Sequence, residues 1–145
     1  MLFKNILVPF DGSKHAIHAF KVALDIAKKY DSKLSVIHCI EGGEYRGQWY
    51  YDSRYSDAVR KKQKKIAKIE IDKLAIQAKK VNISIFSDIL IADSTVKELV
   101  TYAKSKKIDL LVMGSHGRTG LNKLILGSVT NGVSQMVHCP ILIVK

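Results

Sequence analysis

Glycines are concentrated in the stretch MGSHGRTGLNKLILGSVTNG, which spans residues 113–132 and contains five of the nine glycines in the chain. Within it the spacing is Gly114-x2-Gly117-x9-Gly127-Ser128. Because glycine has no β carbon, the main chain at Gly114 and Gly117 can turn sharply and approach a ligand closely. Gly127 and Ser128 lie where a last helix is predicted to begin, and the unpaired amides of a helix N-terminus favour an anion. The Ser128 hydroxyl would be an additional donor.

A loop with this pattern could hold a polyphosphate, and Arg118 and Lys123 lie within it to offset phosphate charge. Other nucleotide motifs are absent from the sequence. There is no GxxxxGK[ST] loop, since Lys123 follows Asn122, and no GxGxxG follows the first apolar run. The spacing alone leaves two readings open, a phosphate site and a structural glycine loop.

A second candidate segment, Pro9-Phe10-Asp11-Gly12-Ser13, directly follows the first apolar run. Either Asp11 or Ser13 could cap the helix that comes next. A single carboxylate, Asp11, is present to help hold a Mg²⁺ ion, so this ion is expected mainly through nucleotide phosphates.

Hydrophobic periodicity predicts the elements that position these two segments. Five short apolar runs predict strands at residues 3–8, 33–40, 83–91, 109–113 and 141–144. Apolar residues at helical spacing predict helices after residue 13, over residues 57–81, after residues 93–95, and near residues 129–137. Thr95 and Glu98 have capping-box spacing. Strands that alternate with helices predict one α/β domain over residues 1–145, a doubly wound parallel sheet in which ligands bind beyond the carboxyl ends of the strands.

Residues 41–56 break this alternation, and we predict a loop there. The segment contains five of the eleven aromatic residues, which are Tyr45, Trp49, Tyr50, Tyr51 and Tyr55. A loop of this length is usually functional or disordered. A nucleotide lid, a partner surface and ordinary core packing remain open for these side chains.

The net charge of +11 is concentrated in one predicted helix. Residues 57–81 contain nine basic and three acidic side chains, a net charge of +6. A solvated helix face is the common explanation for such a segment, and a surface for nucleic acid or another polyanion is the alternative.

No apolar run approaches the ~18 residues that cross a membrane. Cys39 and Cys139 form no metal-binding or CxxC spacing, which indicates buried reduced thiols, no zinc, and a cytoplasmic protein.

The two candidate segments are similar to those of a known family. The opening ILVPFDGS and the closing LLVMGSHGRTGLNKLILGSVTNGVSQMVHCPILIVK resemble the universal stress protein family, and the likeness covers the whole chain. The ATP-binding branch of that family has the motif G-2x-G-9x-G-[S/T], which this sequence matches without a gap. The resemblance implies a five-stranded, Rossmann-like parallel sheet in the order 3-2-1-4-5, and homodimers that pair through residues 141–144.

The resemblance also implies a nucleotide site. Its implied ribose and adenine side consists of Pro9, Phe10, Asp11, Gly12, Ser13, Cys39, Met113 and Gly114, and its implied phosphate side consists of His116, Gly117, Arg118, Gly127, Ser128, Val129 and Thr130. Cys39 is expected to use its main-chain groups, with an incidental thiol. Thr130 is expected to be a further donor.

These observations predict an ATP-binding stress or signalling module with slow hydrolysis at most, which regulates an unidentified protein partner. His116 has no nucleophile paired with it in a known motif, and a fast phosphotransferase would need a further catalytic group beside Asp11. A weak ATPase or phosphotransferase, and a polyanion-binding protein that uses residues 57–81, are the alternatives.

Overall fold

The computed structural model describes residues 2–42, 53–117 and 125–145. Five strands and four helices alternate along this part of the chain. They are β1 (Asn5–Pro9), α1 (Lys14–Tyr30), β2 (Lys33–Glu41), α2 (Ser53–Lys79), β3 (Ile85–Ala92), α3 (Thr95–Ser105), β4 (Leu110–Gly114), α4 (Ser128–Met136) and β5 (Ile141–Val144).

All strand pairs are parallel, and the strand order is β3-β2-β1-β4-β5. The central strand β1 pairs with β2 on one side and with β4 on the other, so that Ile6 lies opposite both Leu34 and Leu110. After β3 the chain crosses to the other half of the sheet through α3, so the switch point of the sheet lies between β1 and β4. The predicted fold class and strand order are confirmed, and the crevice of such a fold lies beyond the carboxyl ends of these two strands.

The sheet is covered on both faces because side chains of a strand alternate between its two sides. Ile6 and Val8 belong to one buried cluster with Phe20 of α1 and Leu74 of α2. Leu7, between them, belongs to a second cluster formed with α3 and α4. A parallel sheet that is buried on both faces gives the continuous apolar runs seen in the sequence.

Strands β1, β3 and β4 begin later than predicted, β3 at Ile85 instead of residue 83. The first begins at Asn5 because Phe3 has a left-handed backbone, with φ of 62°, and cannot extend the strand. The Asp109 carboxylate accepts hydrogen bonds from the main-chain amides of Lys4 and Asn5, at 2.8 and 3.1 Å. It therefore joins the beginning of β1 to the segment before β4, which itself begins at Leu110.

Serine hydroxyls cap the first and third helices. Ser13 accepts a hydrogen bond from the amide of Ala16 at 3.1 Å, which decides between the two candidate caps of α1. Ser94 caps α3 through the amide of Lys97 at 3.3 Å. The predicted capping box was wrong, because Thr95 is already the first helical residue.

The second helix begins at Ser53, four residues before the predicted start at Asp57. The prediction of a loop over residues 41–56 was therefore wrong at its end, and also at its beginning, where Glu41 still belongs to β2. No glycine or proline occurs in α2, and its many lysines are good helix formers. Residues 43–52, with four of the aromatic residues, lie outside the described part of the chain. Within that part, no helix is both long and apolar enough to cross a membrane.

Candidate functional site

A cavity of about 560 Å³ lies beyond the carboxyl ends of β1, β2 and β4. This volume falls within the range of small-molecule sites, roughly 300–1,000 Å³. The predicted site residues that line it are Pro9, Phe10, Asp11, Ser13, Cys39, Met113, Gly114, His116, Gly117, Gly127, Ser128, Val129 and Thr130. The structure thus brings both candidate segments and the end of the second strand to one cavity.

Two of the predicted site residues, Gly12 and Arg118, are not among the described residues that line the cavity. Gly12 supports the turn between β1 and α1 instead, since its φ of 82° is strained for any residue with a β carbon. Within this turn the Asp11 carboxylate accepts a hydrogen bond from the Ser13 amide at 2.9 Å. Arg118 lies outside the described residues, as does Lys123.

The cavity also has a side that the sequence did not predict. Its lining there comes from the beginnings of α1 and α3, the carboxyl half of β2 and the end of the glycine loop, namely Ala16, Ile37, Glu41, Thr95, Leu99, Ile125 and Leu126. The Thr95 hydroxyl donates to the Glu41 carboxylate at 3.2 Å. The one available signal was that Thr95 begins a helix directly after a strand, because such turns reach the crevice of this fold.

Gly114 is required by the protein's own packing. A β carbon on Gly114 would lie 2.7 Å from the β carbon of His15 and 2.8 Å from its carbonyl carbon. Helix α1 can therefore lie against the end of β4 only because this residue has no side chain. The packing of α1 is thus sufficient reason for a glycine here, and close approach of Gly114 to a ligand stays a prediction.

The other two motif glycines bring the ends of the loop together. A β carbon on Gly127 would lie 3.2 Å from the α carbon of His116, and the Gly127 amide donates to the Ser115 carbonyl at 2.8 Å. A β carbon on Gly117 would lie 2.8 Å from Oδ2 of Asp11. The glycine loop and the turn after β1 therefore meet at the Asp11 carboxylate.

Helix α4 begins differently from α1 and α3. Its N-cap is Gly127, which has no side chain to cap the helix. The amides of the first helical turn have no acceptor within the helix. Ser128, Val129 and Thr130 of this turn all line the cavity, so the positive end of the helix dipole faces the cavity.

The Thr130 hydroxyl has a structural partner. It donates a buried hydrogen bond to the main-chain carbonyl of Gly114 at 2.7 Å. The expectation that Thr130 is a further donor to a ligand stays a prediction, and the hydroxyl hydrogen is already used in this contact. What Thr130 offers to the cavity is its main-chain amide.

Both ring nitrogens of His116 have partners within the loop. Nδ1 lies 2.9 Å from Oγ of Ser115, and Nε2 contacts the carbonyl oxygen of Ile125. Because a carbonyl can only accept, Nε2 carries the proton and Nδ1 accepts from the serine hydroxyl when the ring is neutral. The ring of His15 lies beside it, with 5.4 Å between ring centroids. His116 therefore connects the beginning of the glycine loop to its end.

Burial raises the pKa of the Cys39 thiol to about 12, and the carboxylates of Glu98 and Glu41 add to this effect. Burial also raises the pKa of Cys139. Both thiols are free and half-buried, a correction to the expectation of full burial. A thiol that stays protonated at neutral pH is neither a nucleophile nor a metal ligand.

The described lining of the cavity carries the carboxylates of Asp11 and Glu41 but no lysine or arginine. Across residues 2–42, 53–117 and 125–145, no three His, Cys, Asp or Glu side chains are grouped closely enough to hold a metal ion. A Mg²⁺ ion in this cavity would thus need oxygens of the ligand in addition to Asp11.

The fold and the cavity define a doubly wound α/β protein with a ligand crevice at its topological switch point. The chain belongs to the universal stress protein family, whose sequence profile matches residues 2–145. Universal stress protein MJ0531 from Methanocaldococcus jannaschii is 32% identical over 99% of this chain and 83% of its own length. The solved structure of protein MJ0577 from the same organism has a TM-score of 0.87 and 26% identity, covering 100% of this chain and 97% of that one.

Two further solved structures of the family contain adenine nucleotides. One is a universal stress protein in complex with cAMP, with a TM-score of 0.70 and 23% identity over 100% of this chain and 96% of that chain. The other, from Archaeoglobus fulgidus, is in complex with dAMP, with a TM-score of 0.72 and 18% identity over the whole of both chains. At these identities the likeness to this chain is one of fold.

Proposed function

We propose that this protein binds ATP in the cavity between β1 and β4 and acts as a nucleotide-dependent regulatory module. One observation carries the proposal. The carboxyl ends of the two central strands, the three motif glycines and the uncapped first turn of α4 all meet at one cavity of about 560 Å³. The cAMP and dAMP complexes of related folds support an adenine nucleotide as the class of ligand.

The glycine motif favours a polyphosphate over a nucleoside alone. Ser128, Val129 and Thr130 supply main-chain amides at a helix N-terminus, where negative charge is stabilised. The Asp11 carboxylate, which lies beside Gly117, would hold a Mg²⁺ ion that bridges the phosphates. Arg118 and Lys123 supply two positive charges in the same loop.

Binding without rapid turnover agrees with the chemistry of the described lining. The Cys39 thiol stays protonated, and both ring nitrogens of His116 have partners within the loop. Transfer of a phosphoryl group needs an oriented nucleophile and stabilisation of the charge that develops. With Asp11 held by the Ser13 amide, we propose that the bound nucleotide changes the loop conformation and is hydrolysed slowly at most.

The experiment begins with the purified protein. Nucleotides are extracted from it and identified by mass spectrometry, and the stripped protein is titrated with ATP, ADP, AMP and cAMP, with and without Mg²⁺. We expect an adenine nucleotide in the extract and the tightest binding for Mg-ATP. No adenine nucleotide and no saturable binding would reject the site. Equal binding of ATP and AMP would reject the role of the glycine loop in holding a polyphosphate.

The substitution Ser128→Asp tests the phosphate side directly. A carboxylate at the first position of a helix is favourable for the fold but repels phosphate groups. We expect the variant to unfold at the wild-type temperature or above it, and to lose more affinity for ATP than for AMP. Gln135→Glu adds the same charge near the far end of α4, outside the cavity, and is the matched control. Phosphate release that disappears in Asp11→Ala while ATP affinity persists would instead indicate an ATPase.

A further inference from the structure

Helix α2 packs on the sheet through one narrow face. Its buried residues are Ala67, Ile71, Leu74 and Ala78, at the spacing i, i+4, i+7, i+11. Three of them belong to the core cluster that also contains β1 and α1. This face accounts for one side of a helix that is 27 residues long, or about 40 Å.

The opposite side of α2 carries apolar residues that the fold does not bury. Val59, Ile66, Ile69 and Ile76 are 37%, 44%, 51% and 58% exposed. Together with two lysines they form a row with alternating spacings of three and four residues, which we name the outer seam: Val59, Lys62, Ile66, Ile69, Lys73 and Ile76. This spacing is that of the a and d positions of a coiled coil.

The outer seam lies on the side of α2 that faces away from the core. No residue from 57 to 66 is buried, and Arg60, whose guanidinium donates to the Gly42 carbonyl, is half-buried. From Val59 to Ile76 the seam extends over about 25 Å of helix. Apolar residues repeated along an exposed helix at this spacing form one row, interrupted by Lys62 and Lys73, unlike single apolar residues scattered over a surface.

The charge around the seam is mostly positive. Residues 57–81 carry nine basic and three acidic side chains. Of the acidic ones, Asp72 lies 3.9 Å from the Lys68 ammonium within the same helix. Within the seam itself, Lys62 lies between Val59 and Ile66, and Lys73 lies between Ile69 and Ile76.

We propose that the outer seam docks an acidic amphipathic helix of another protein. Apolar residues of that helix pack against Ile66, Ile69 and Ile76, and its carboxylates meet Lys62 and Lys73. Polar residues at a or d positions specify the register and the choice of partner in coiled coils. The proposal does not depend on what the cavity binds.

A second copy of this chain is disfavoured as the occupant. In a parallel pair, Lys62 and Lys73 would each face the same lysine of the other copy. In an antiparallel pair that matches Ile66 with Ile69, Lys62 of one copy would face Lys73 of the other. Both arrangements place like charges together in the seam, on two helices that each carry an excess of positive charge.

Nucleic acid and a membrane surface fit the seam less well. Phosphate groups would satisfy the lysines but would leave the isoleucines without apolar contacts. A helix that lies in a membrane interface keeps its charges on the side away from the lipid. Here Lys62 and Lys73 alternate with the isoleucines along the middle of the seam.

A designed peptide tests the proposal on the intact protein. The probe is a fluorescein-labelled amphipathic helix of about four heptads, apolar at its a and d positions except for glutamates facing Lys62 and Lys73. Fluorescence anisotropy measures the binding of this peptide. Duplex DNA and phosphatidylglycerol vesicles are the alternative probes, and their binding is compared with that of the peptide. We expect the peptide to bind most tightly. Tighter binding of the DNA or of the vesicles would overturn the proposal.

Two double variants, each with two charge reversals, distinguish binding of the peptide at the seam from general electrostatic attraction. Lys62→Glu with Lys73→Glu changes the seam, whereas Lys61→Glu with Lys64→Glu makes the same change in net charge away from it. We expect the seam pair to lose at least about tenfold in affinity, and the control pair to lose much less. Equal losses for the two pairs would contradict a seam.

Two further measurements complete the test. Ile69→Asn with Ile76→Asn removes apolar contacts without a change of charge, and we expect a loss of at least about tenfold. A peptide with lysines in place of its two glutamates is expected to bind the Lys62→Glu, Lys73→Glu variant but not the wild type. This gain can come only from a folded variant. Unchanged affinity of the isoleucine variant would show that charge alone attracts the peptide, and would overturn the proposal.

Discussion

The hydroxyl of Thr130 donates a buried hydrogen bond of 2.7 Å to the main-chain carbonyl of Gly114, joining the first turn of α4 to the last residue of β4. The glycine loop leaves β4 at one of these residues and returns to α4 at the other. Together with the hydrogen bond from the Gly127 amide to the Ser115 carbonyl, this contact sets the separation between the two ends of the proposed phosphate site.

We expect Thr130→Val to lower both stability and ATP affinity. Valine has a similar shape but leaves the Gly114 carbonyl without this donor, which costs about 1–3 kcal/mol. The melting temperature should fall by several degrees, as measured by calorimetry, and titration with Mg-ATP should show weaker binding. Thr130→Ser keeps the hydroxyl and is the control. A valine variant as stable as the serine variant would contradict this assignment.

We expect Gly117→Ala to weaken ATP binding with little effect on stability. The new β carbon would lie 2.8 Å from Oδ2 of Asp11, and a carboxylate at the end of a side chain can move aside at small cost to the fold. The displaced carboxylate would no longer face the phosphates. The Asp11→Ala variant has no carboxylate to conflict with the new β carbon. Adding Gly117→Ala to this variant should therefore change its ATP affinity less than Gly117→Ala changes that of the wild type. Full additivity of the two substitutions would count against contact between these residues.

We expect Cys39 to react slowly with alkylating reagents in the folded protein. Its pKa lies near 12 in the fold against 9.0 for an unperturbed thiol, so below pH 9 the folded state holds about 10³-fold less thiolate. Iodoacetamide labelling of the Cys139→Ser variant, with and without urea, measures this difference.

The raised pKa of Cys39 also means that the contribution of this thiol to stability is complete below pH 9 and is lost as the pH rises towards 12. Cys39→Ser should therefore show a shallower loss of stability over this range, and equal loss in both proteins would contradict the raised pKa.

We expect Leu142→Lys to reduce self-association. Strand β5 is an edge of the sheet, and Leu142 on it is 38% exposed. Pairing of β5 with a second copy would cover this edge, and a lysine there would oppose it. Light scattering after size exclusion measures the mass of the variant. Phe86→Lys, on β3 at the other edge, is the matched control because Phe86 is 56% exposed. Pairing through β5 would be contradicted if the wild type were a monomer, or if Phe86→Lys disrupted a dimer and Leu142→Lys did not.

Much of the fold could be predicted from the sequence because local periodicity records which side of each element is buried. The apolar runs predicted all five strands, and the helical spacing predicted all four helices. The glycine spacing and the segment after β1 indicated the two loops that meet at the cavity. The boundaries were less exact, since the caps at Ser13 and Ser94 were chosen among adjacent polar residues by geometry.

The sequence was sufficient to predict the order of the elements, the α/β class and the loops that carry the candidate site. Tertiary structure alone decided the partners of individual groups. It placed His15 against Gly114, Asp11 against Gly117, and the Thr130 hydroxyl against the Gly114 carbonyl. It also left a second apolar row of α2, which contains Ile66, Ile69 and Ile76, exposed. The reason is physical: burial leaves a periodic pattern along the chain, whereas a contact between distant residues depends on how the elements pack in three dimensions.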